Sequence, residues 1–466
     1  MKGRDINHLS IFGTSSDAGK STLSFAITYL LHKRGVKVAP FKAQNVSNNS
    51  QVTDAGGEVA IPQYFTAEAI GMKTTPNINP ILLKSGSYNS AHMIVDGKNA
   101  GDKDVRSYYR DINTLKPVAK KAFKNLAKEY ECVVAEGAGS PVELNLMDKD
   151  LSNIYIADEF NTKIILVADI ERGGVFASIW GVYNLLPKKL QKNVIGVIVN
   201  KFRGDSSLFD DGIKIIENEF GLKVLGVVDY KPFNLGFEDS QSIMGYIQDT
   251  TKAKLKVGVI KLPHISNFTD FEPLVADEEI ELLFIQNVSE LSSCDAIILP
   301  GSKRVVDDLK WLRKNGFSKQ IKNTQKTLIG ICGGYEMMFE YILDPDEIES
   351  HKQETKAFGI FKGNVEFKKE KVVKKGKYKI FDTKVKGYEI HNGKAKKICT
   401  KKKNYYGTFI HGLFDNDDLR YKIFNKINPD YKGYNFKRYK KKTIEDFTSH
   451  IDKQIDMDYI LKRIAP

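Results

Sequence analysis

Short apolar runs recur through the first half of the chain, separated by polar stretches long enough to hold helices. They are "HLSIF" ending at Phe12, "VKVAPF" ending at Phe41, "CVVAEG" starting at Cys132, "KIILVAD" ending at Asp169, "VIGVIVN" ending at Asn200 and "KVLGVVD" ending at Asp229. Nearly continuous apolar strands of this kind suit a parallel sheet covered on both faces. After the first run the period changes: Leu23, Ala26, Ile27, Leu30 and Leu31 recur at helical spacing, and Lys33, Arg34 and Gly35 close the helix. Around residue 251 a polar break, "TTKAKLK", precedes a second series, "KVGVIKLP", "CDAIILPG" and "TLIGIC". The pattern predicts two α/β domains, residues 1–250 with a mostly parallel sheet and residues 251–420 with another. A Lys-rich tail carrying a helix is expected over 421–466.

The first strand runs into "IFGTSSDAGKSTL", Ile11 to Leu23. Between Gly13 and Gly19 lie Thr14, Ser15, Ser16, Asp17 and Ala18, one residue more than an ordinary phosphate loop has. The context is nevertheless right. A loop joining a strand to a helix N-terminus presents backbone N–H groups and the helix dipole to phosphates. Gly13, Thr14, Asp17, Ala18, Gly19, Lys20, Ser21 and Thr22 are therefore expected to bind a nucleotide. Lys20 would reach the outer phosphates of ATP, and the Ser21 or Thr22 hydroxyl would ligate Mg²⁺. In such sheets function collects at the C-terminal strand ends, where Glu136, Asp169 and Asn200 stand. Glu136, in "EGAGSP", is expected to be a metal-linked carboxylate beside the loop, with Ser21 as the other protein ligand. Asp169 fits a functional role or a helix cap equally well.

In the second half, "TLIGIC" leads into Gly330-Ile331-Cys332-Gly333-Gly334 and then "YEMMFEYIL", which has helical character. A nucleophile on a sharp strand-to-helix turn needs small neighbours because its backbone is strained and must approach substrate closely. The turn also brings a helix N-terminus to the thiol, which favours the thiolate. The partner base expected from the sequence is His411, in "YGTFIHGLFDN" between Gly407 and Gly412. A Cys332–His411 pair suits acyl transfer from a carboxamide, with the Gly333 N–H and the backbone at Gly301 and Ser302 forming an oxyanion hole. His391, in "GYEIHNG", is a competing histidine with either a substrate or a structural role. Cys132, Cys294 and Cys399 read as structural.

Composition narrows the class. The chain has 466 residues, 41% of them hydrophobic and 11% aromatic, as in globular proteins. The start, "MKGRDINHLS", contains no apolar run suited to a signal peptide, and no run approaches the ~18 residues of a membrane span. Four widely spaced cysteines suit neither a disulfide framework nor a zinc site, so a reducing cytoplasm is expected. The net charge of +13, from 71 Lys and Arg against 58 Asp and Glu, invites a nucleic-acid reading. Much of the excess, however, lies in "FKKEKVVKKGKYKIFDTKVKG", where Lys alternates with apolar residues as on a solvent-facing strand, and in "KRYKKK", Lys437 to Lys442. Solvated surface accounts for both, and neither nucleic acid nor membrane is expected as a partner.

The five-residue spacing, followed by Glu-Gly-Ala-Gly, resembles dethiobiotin synthetase and its amidating relatives, which use ATP to activate a carboxylate. The second half resembles class I glutamine amidotransferase domains, of flavodoxin-like fold. It departs from their common pattern in having Leu413 where a Glu usually follows the catalytic His, so the third member of the triad is not identified. From about Asn7 to Asp415 the chain resembles the cobyrinic and cobyric acid synthase family. Segments such as "PFKAQNVSNNS", "SPVELNLMDKDLSN", "ILVADIERGGVFASI", "ISNFTDFEPL" and "GTFIHGLFDN" carry the resemblance, while Glu336 and Phe339 replace the usual Gln and Gly. Neither replacement is expected to touch the Cys–His chemistry. The resemblance implies that glutamine supplies ammonia to an ATP-dependent amidation of a corrinoid polycarboxylate. It points to the branch that amidates carboxylates b, d, e and g of adenosylcobyrinic acid a,c-diamide to give adenosylcobyric acid. It further implies that Lys42, Gln44 and Asn45 face the acceptor carboxylate and that Asn200 lies near the adenine. The alternatives are the branch that makes the a,c-diamide and, from another class, a nucleotide-switched DNA-associated ATPase, which would leave Cys332 and His411 without a role. A non-catalytic amidotransferase-like regulator is disfavoured by the same two residues. The oligomeric state is not legible in the sequence.

Overall fold

The computed structural model describes residues 6–85, 90–233, 235–236 and 248–465. These form two compact units. One comprises residues 1–47, 53–233 and 441–466, and the other residues 48–52 and 234–440.

In the first unit the apolar runs become β1 (Leu9–Gly13), β2 (Val38–Phe41), β3 (Cys132–Glu136), β4 (Lys163–Asp169), β5 (Val194–Phe202) and β6 (Val224–Asp229). They pair in the order β6-β5-β4-β1-β3-β2, every pair parallel. Phe12, Leu166 and Val197 are fully covered, as a sheet sandwiched between helices requires. Helix α1 (Lys20–Lys33) follows β1 with Gly19 as its N-cap. The C-terminal edge of the sheet thus gathers the phosphate loop, Glu136, Asp169 and Asn200.

In the second unit, β7 (Leu255–Ile260), β8 (Ile280–Ile285), β9 (Ala296–Leu299), β10 (Thr327–Ile331), β13 (Cys399–Lys402) and β14 (Tyr405–Thr408) form a sheet ordered β8-β7-β9-β10-β14-β13. It is parallel apart from the β13–β14 pair at one edge. A long hairpin, β11 (Asn364–Ile380) and β12 (Thr383–Lys394), belongs to a separate four-stranded sheet. The helical expectation for "YEMMFEYIL" is met for one turn only, Gly333–Glu336. The carbonyls of Met337, Met338 and Phe339 accept from Phe358, Ile360 and Gly359, so they cannot extend the helix.

The expected tail over 421–466 is not a tail. Helix Asp417–Asn425 carries Arg420, fully buried, whose guanidinium donates to the carbonyls of Phe414 and Tyr434. Helices Phe436–Asp452 and Met457–Ile464 follow. From residue 441 the chain belongs to the first unit: Phe447 packs on Phe233 with ring centroids 4.5 Å apart, Ile455 bridges Gly226, and Asn7 N–H donates to the Ile464 carbonyl. Charge counting missed this because Ile444, Phe447, Ile451, Ile460 and Ile464 lie on buried helix faces behind an exposed lysine face that includes Lys437, Lys441 and Lys442. Phe447→Ala should therefore destabilise the first unit by about 3–5 kcal/mol. The Lys441→Gln/Lys442→Gln double variant should stay within about 0.5 kcal/mol of the parent. Urea unfolding of the two variants measures both effects.

Candidate active sites

The phosphate loop sits as its context requires. Gly19 has φ +94° and a Cβ there would stand 2.1 Å from the Asn200 amide nitrogen, so only glycine fits. Asn200 Nδ2 donates to the Ala18 carbonyl at 2.9 Å, which fixes the underside of the loop. Thr14 N–H donates to the Val167 carbonyl. Lys20 lies over Gly13 and donates to the Ser15 carbonyl at 2.9 Å. Asp17 is exposed with φ 58° and meets Arg172 at 3.4 Å. Asp169, for which two roles were open, holds Lys201 at 2.9 Å and accepts the N–H of Glu171, an ion-paired turn residue.

Glu136 is the hub of this site. It is buried, and its Oε1 accepts from Ser21 Oγ at 2.6 Å and Lys42 Nζ at 2.7 Å, while Oε2 accepts from Gln63 Nε2 at 2.9 Å. Gln63, on the helix Ile61–Ala69, carries no motif and went unnoticed in the sequence. Gln44 lies beside Lys42 in the chain, accepts from Tyr108 OH, and donates its backbone N–H to Ser152 Oγ. Asn45 Nδ2 and Gln63 Oε1 are buried without a hydrogen-bond partner, two polar atoms that water or a polar ligand would satisfy. A serine hydroxyl and a carboxylate 2.6 Å apart beside a phosphate loop are hard oxygen donors of the kind Mg²⁺ takes alongside phosphates.

The second site is built on a strained turn. Cys332 has φ 51° and ψ −111°, a conformation disfavoured for a residue with a Cβ, between β10 and the short helix. Small neighbours are obligatory: a Cβ on Gly334 would stand 1.9 Å from the Leu299 carbonyl, and one on Gly333 would stand 2.8 Å from the Ser302 N–H nitrogen. The expected oxyanion donors Gly333 and Ser302 are thus brought together. Gly301 approaches His411, with a hypothetical Cβ 3.2 Å from Cε1.

His411 follows β14, and its backbone exchanges hydrogen bonds with Tyr388. Its Nδ1 is 2.7 Å from Asp270 Oδ2, and Asp270 Oδ1 accepts the Gly412 N–H at 2.7 Å. The other ring nitrogen lies 3.3 Å from Asn267 Nδ2 and faces Cys332. Burial pulls the imidazole down, but Asp270 and Cys332 outweigh it and hold the ring well above its ordinary pKa. Burial pushes the Cys332 thiol up, and His411 opposes it. Leu413, where a Glu was sought, is core. The acid comes instead from the 3₁₀ turn Phe268–Phe271, which lies far upstream of His411 in sequence. Its only sequence signal was "ISNFTDFEPL", and no spacing rule connects that segment to the histidine. His391 Nδ1 donates to the Gly393 carbonyl at 2.6 Å, its Nε2 lies 3.2 Å from the Glu389 carboxylate and the ring stacks on Phe409, so both ring nitrogens are structurally engaged.

Glu336 departs from expectation. It lies buried behind the nucleophile, and its charge raises the Cys332 thiol, so this replacement does touch the Cys–His chemistry. Burial pushes Glu336 up to about 8 against a hydrogen bond from the Gly393 backbone, and it in turn helps raise Glu349 well above its ordinary value. A carboxyl raised on folding stabilises the fold fully below its unfolded pKa and loses that contribution as pH rises through the folded value. The melting-temperature advantage of Glu336→Gln over the parent should therefore grow from pH 5 to pH 8 and level off above. Differential scanning fluorimetry across that range measures it.

The comparisons with known proteins agree with both halves. Residues 9–234 match the CobQ/CobB/MinD/ParA nucleotide binding domain family and residues 256–419 the CobB/CobQ-like glutamine amidotransferase domain family. The chain is 52% identical over 462 residues to a cobyric acid synthase of Acinetobacter baylyi, covering 98% of this chain and 99% of that one. It is 36% identical over 487 residues to a cobyric acid synthase of Clostridium tetani, covering 98% and 99%. The cobyric acid synthase of Listeria innocua is 38% identical over 451 residues, covering 91% of this chain and 88% of its own. With a nucleotide-binding unit and an amidotransferase unit on one chain, and similarity of this extent along nearly its whole length, the chain belongs to the cobyric acid synthase family.

Proposed function

We propose that this chain amidates the b, d, e and g carboxylates of adenosylcobyrinic acid a,c-diamide, with glutamine as nitrogen donor and MgATP as activator, giving adenosylcobyric acid. The observation that carries this reading is a Cys332–His411–Asp270 arrangement on the same chain as a phosphate loop whose Ser21 is bonded to Glu136. An amide-cleaving site and a carboxylate-activating site belong together only if nitrogen passes from one reaction to the other.

At the glutaminase site His411 takes the thiol proton of Cys332, and the thiolate attacks the γ-carboxamide carbon. Asp270 holds the ring through Nδ1 and stabilises the imidazolium that forms. The tetrahedral oxyanion is received by the backbone N–H groups at Gly333 and Ser302, with Gly301 leaving room for the ring of His411. The imidazolium returns the proton to the departing ammonia, and water then cleaves the thioester to glutamate.

At the synthetase site Gly13, Thr14, Asp17, Ala18, Gly19 and Thr22 frame the phosphates and Lys20 reaches the outer ones. Ser21 and Glu136 would hold Mg²⁺, which would neutralise charge on the transferring phosphoryl group. Lys42, Gln44 and Asn45 receive the acceptor carboxylate. Asn200, which the resemblance sets near adenine, also braces the loop through Ala18. The carboxylate becomes an acyl phosphate, and ammonia displaces phosphate to leave the amide. The four free cysteines fit a reducing cytoplasm, and among the described residues no helix is long and apolar enough to cross a membrane.

Three measurements test this. Cys332→Ala should abolish glutamine-driven amidation while ammonium salts at alkaline pH still drive it, whereas Glu136→Ala should fail with either nitrogen source. Mass spectrometry of the corrinoid product should count four amidations, where the a,c-diamide branch would perform two. Asp270→Asn should lower glutamine-driven turnover by roughly 10²- to 10⁴-fold, because the ring loses its tautomer and orientation, and should leave ammonia-driven turnover at the parent level.

A further inference from the structure

The helix Val305–Lys314, which follows β9, turns Val305, Val306, Asp308, Leu309 and Leu312 into the core. Asp308 interrupts an otherwise apolar face. It is fully buried, and a carboxylate in such a place is costly unless donors satisfy it. An apolar side chain would meet the packing requirement without that cost, so the acid answers to something other than packing.

Its partners show what that is. Asp308 Oδ2 accepts from Ser302 Oγ at 2.6 Å, and Oδ1 lies 2.8 Å from His264 Nδ1. The His264 backbone N–H is 3.3 Å from both carboxylate oxygens. One side chain thus clamps two loops, the one after β7 and the one after β9. The backbones of these loops also pair: Ser266 N–H donates to the Gly301 carbonyl at 3.0 Å, and Lys303 N–H donates to the His264 carbonyl at 2.9 Å. Ser302 stands opposite Ile265 in this bridge, and among the described residues its own N–H donates to no backbone carbonyl. That nitrogen is the atom a Cβ on Gly333 would meet at 2.8 Å. The Ser302 side chain is therefore tied down while its N–H is left for the cleft beside Cys332. The loop after β7 continues through Asn267, 3.3 Å from His411 Nε2, to Asp270, 2.7 Å from Nδ1. The clamp that holds an oxyanion donor also holds the start of the segment that orients the base.

Resting on the glutaminase reading above, we propose that Asp308 is a positioning residue of the glutaminase: through Ser302 Oγ and the His264 N–H it fixes the Ser302 N–H where the oxyanion of the tetrahedral intermediate forms. Donors set in advance at that place stabilise the developing charge without reorganising during the reaction. A donor displaced by about 1 Å can cost roughly 10²-fold in rate, and a loop held by backbone bonds alone has that freedom. Asp308 acts through Ser302, so its effect falls on the steps in which the carbonyl oxygen of the substrate carries charge. Formation of the Cys332 thiolate by His411 does not depend on it.

The test is steady-state glutamine hydrolysis by the full chain, read beside alkylation of Cys332 by iodoacetamide. Alkylation needs the thiolate but forms no oxyanion, so it reports on the Cys332–His411 pair alone. Asp308→Ala should lower kcat roughly 10- to 100-fold with KM within about threefold of the parent. Its alkylation rate and pH profile, and its ammonia-driven amidation, should match the parent's. Asp308→Asn, whose amide oxygen can still accept from Ser302, should fall between the two, and it carries the test should the Ala variant not fold. In a Ser302→Ala background the Oγ link is already gone, and Asp308→Ala should cost kcat no more than about threefold further. A folded Asp308 variant with parental kcat overturns the proposal. So does a loss of alkylation in step with kcat, which would mean general disruption of the site, or a full additive loss in the Ser302→Ala background. Absence of glutamine hydrolysis in the unaltered chain would instead reject the glutaminase reading.

Discussion

The strand ends of the first unit are organised around a single buried carboxylate. Glu136 ends a strand inside the sheet, where an uncompensated charge would be costly, and three donors from three separate elements converge on it: Ser21 from α1, Lys42 from the end of β2, and Gln63 from the helix after it. That convergence fixes the phosphate loop, the segment after β2 and the strand end relative to one another. The unusual loop length then becomes intelligible. The extra residue is accommodated before Gly19, whose positive φ and close approach to Asn200 fix where the helix begins. The loop is defined at its far end by backbone packing and at Ser21 by Glu136.

The amidotransferase unit solves a related problem with strain in place of a charge hub. Holding Cys332 at positive φ is unfavourable for a residue with a side chain, and it persists because the Thr408 carbonyl accepts its N–H while Gly333 and Gly334 fit against the preceding loop. Asp270 anchors both the ring of His411 and the next backbone N–H, so the base cannot rotate without breaking two bonds. The surrounding acids Glu336 and Glu349 are pushed toward their neutral forms by burial. The charge of His411 and whatever charge Glu336 retains thus act on the thiol in opposite directions.

What was legible in the sequence was local. Strand runs, the phosphate loop and the Gly-Ile-Cys-Gly-Gly turn each encode their geometry within a dozen residues, because apolar period and glycine sterics act at that range. Asp270 and Gln63 are illegible for the opposite reason. Each reaches its site through the fold, from a 3₁₀ turn and a helix face that have no motif of their own. The C-terminal segment was misread because its lysines dominate a count while its isoleucines, spaced at helical period, decide where it packs.

The same distinction applies to the net positive charge. Most of the lysines on β11 are solvated, and counting them says little about partners. Burial is what gives a lysine chemical meaning: Lys42, buried and held by the Glu136 carboxylate at 2.7 Å, is fixed at the strand ends beside the phosphate loop. Coulombic interaction strengthens as the local dielectric falls, so a buried ammonium such as that of Lys42 can outweigh a larger number exposed to water and salt.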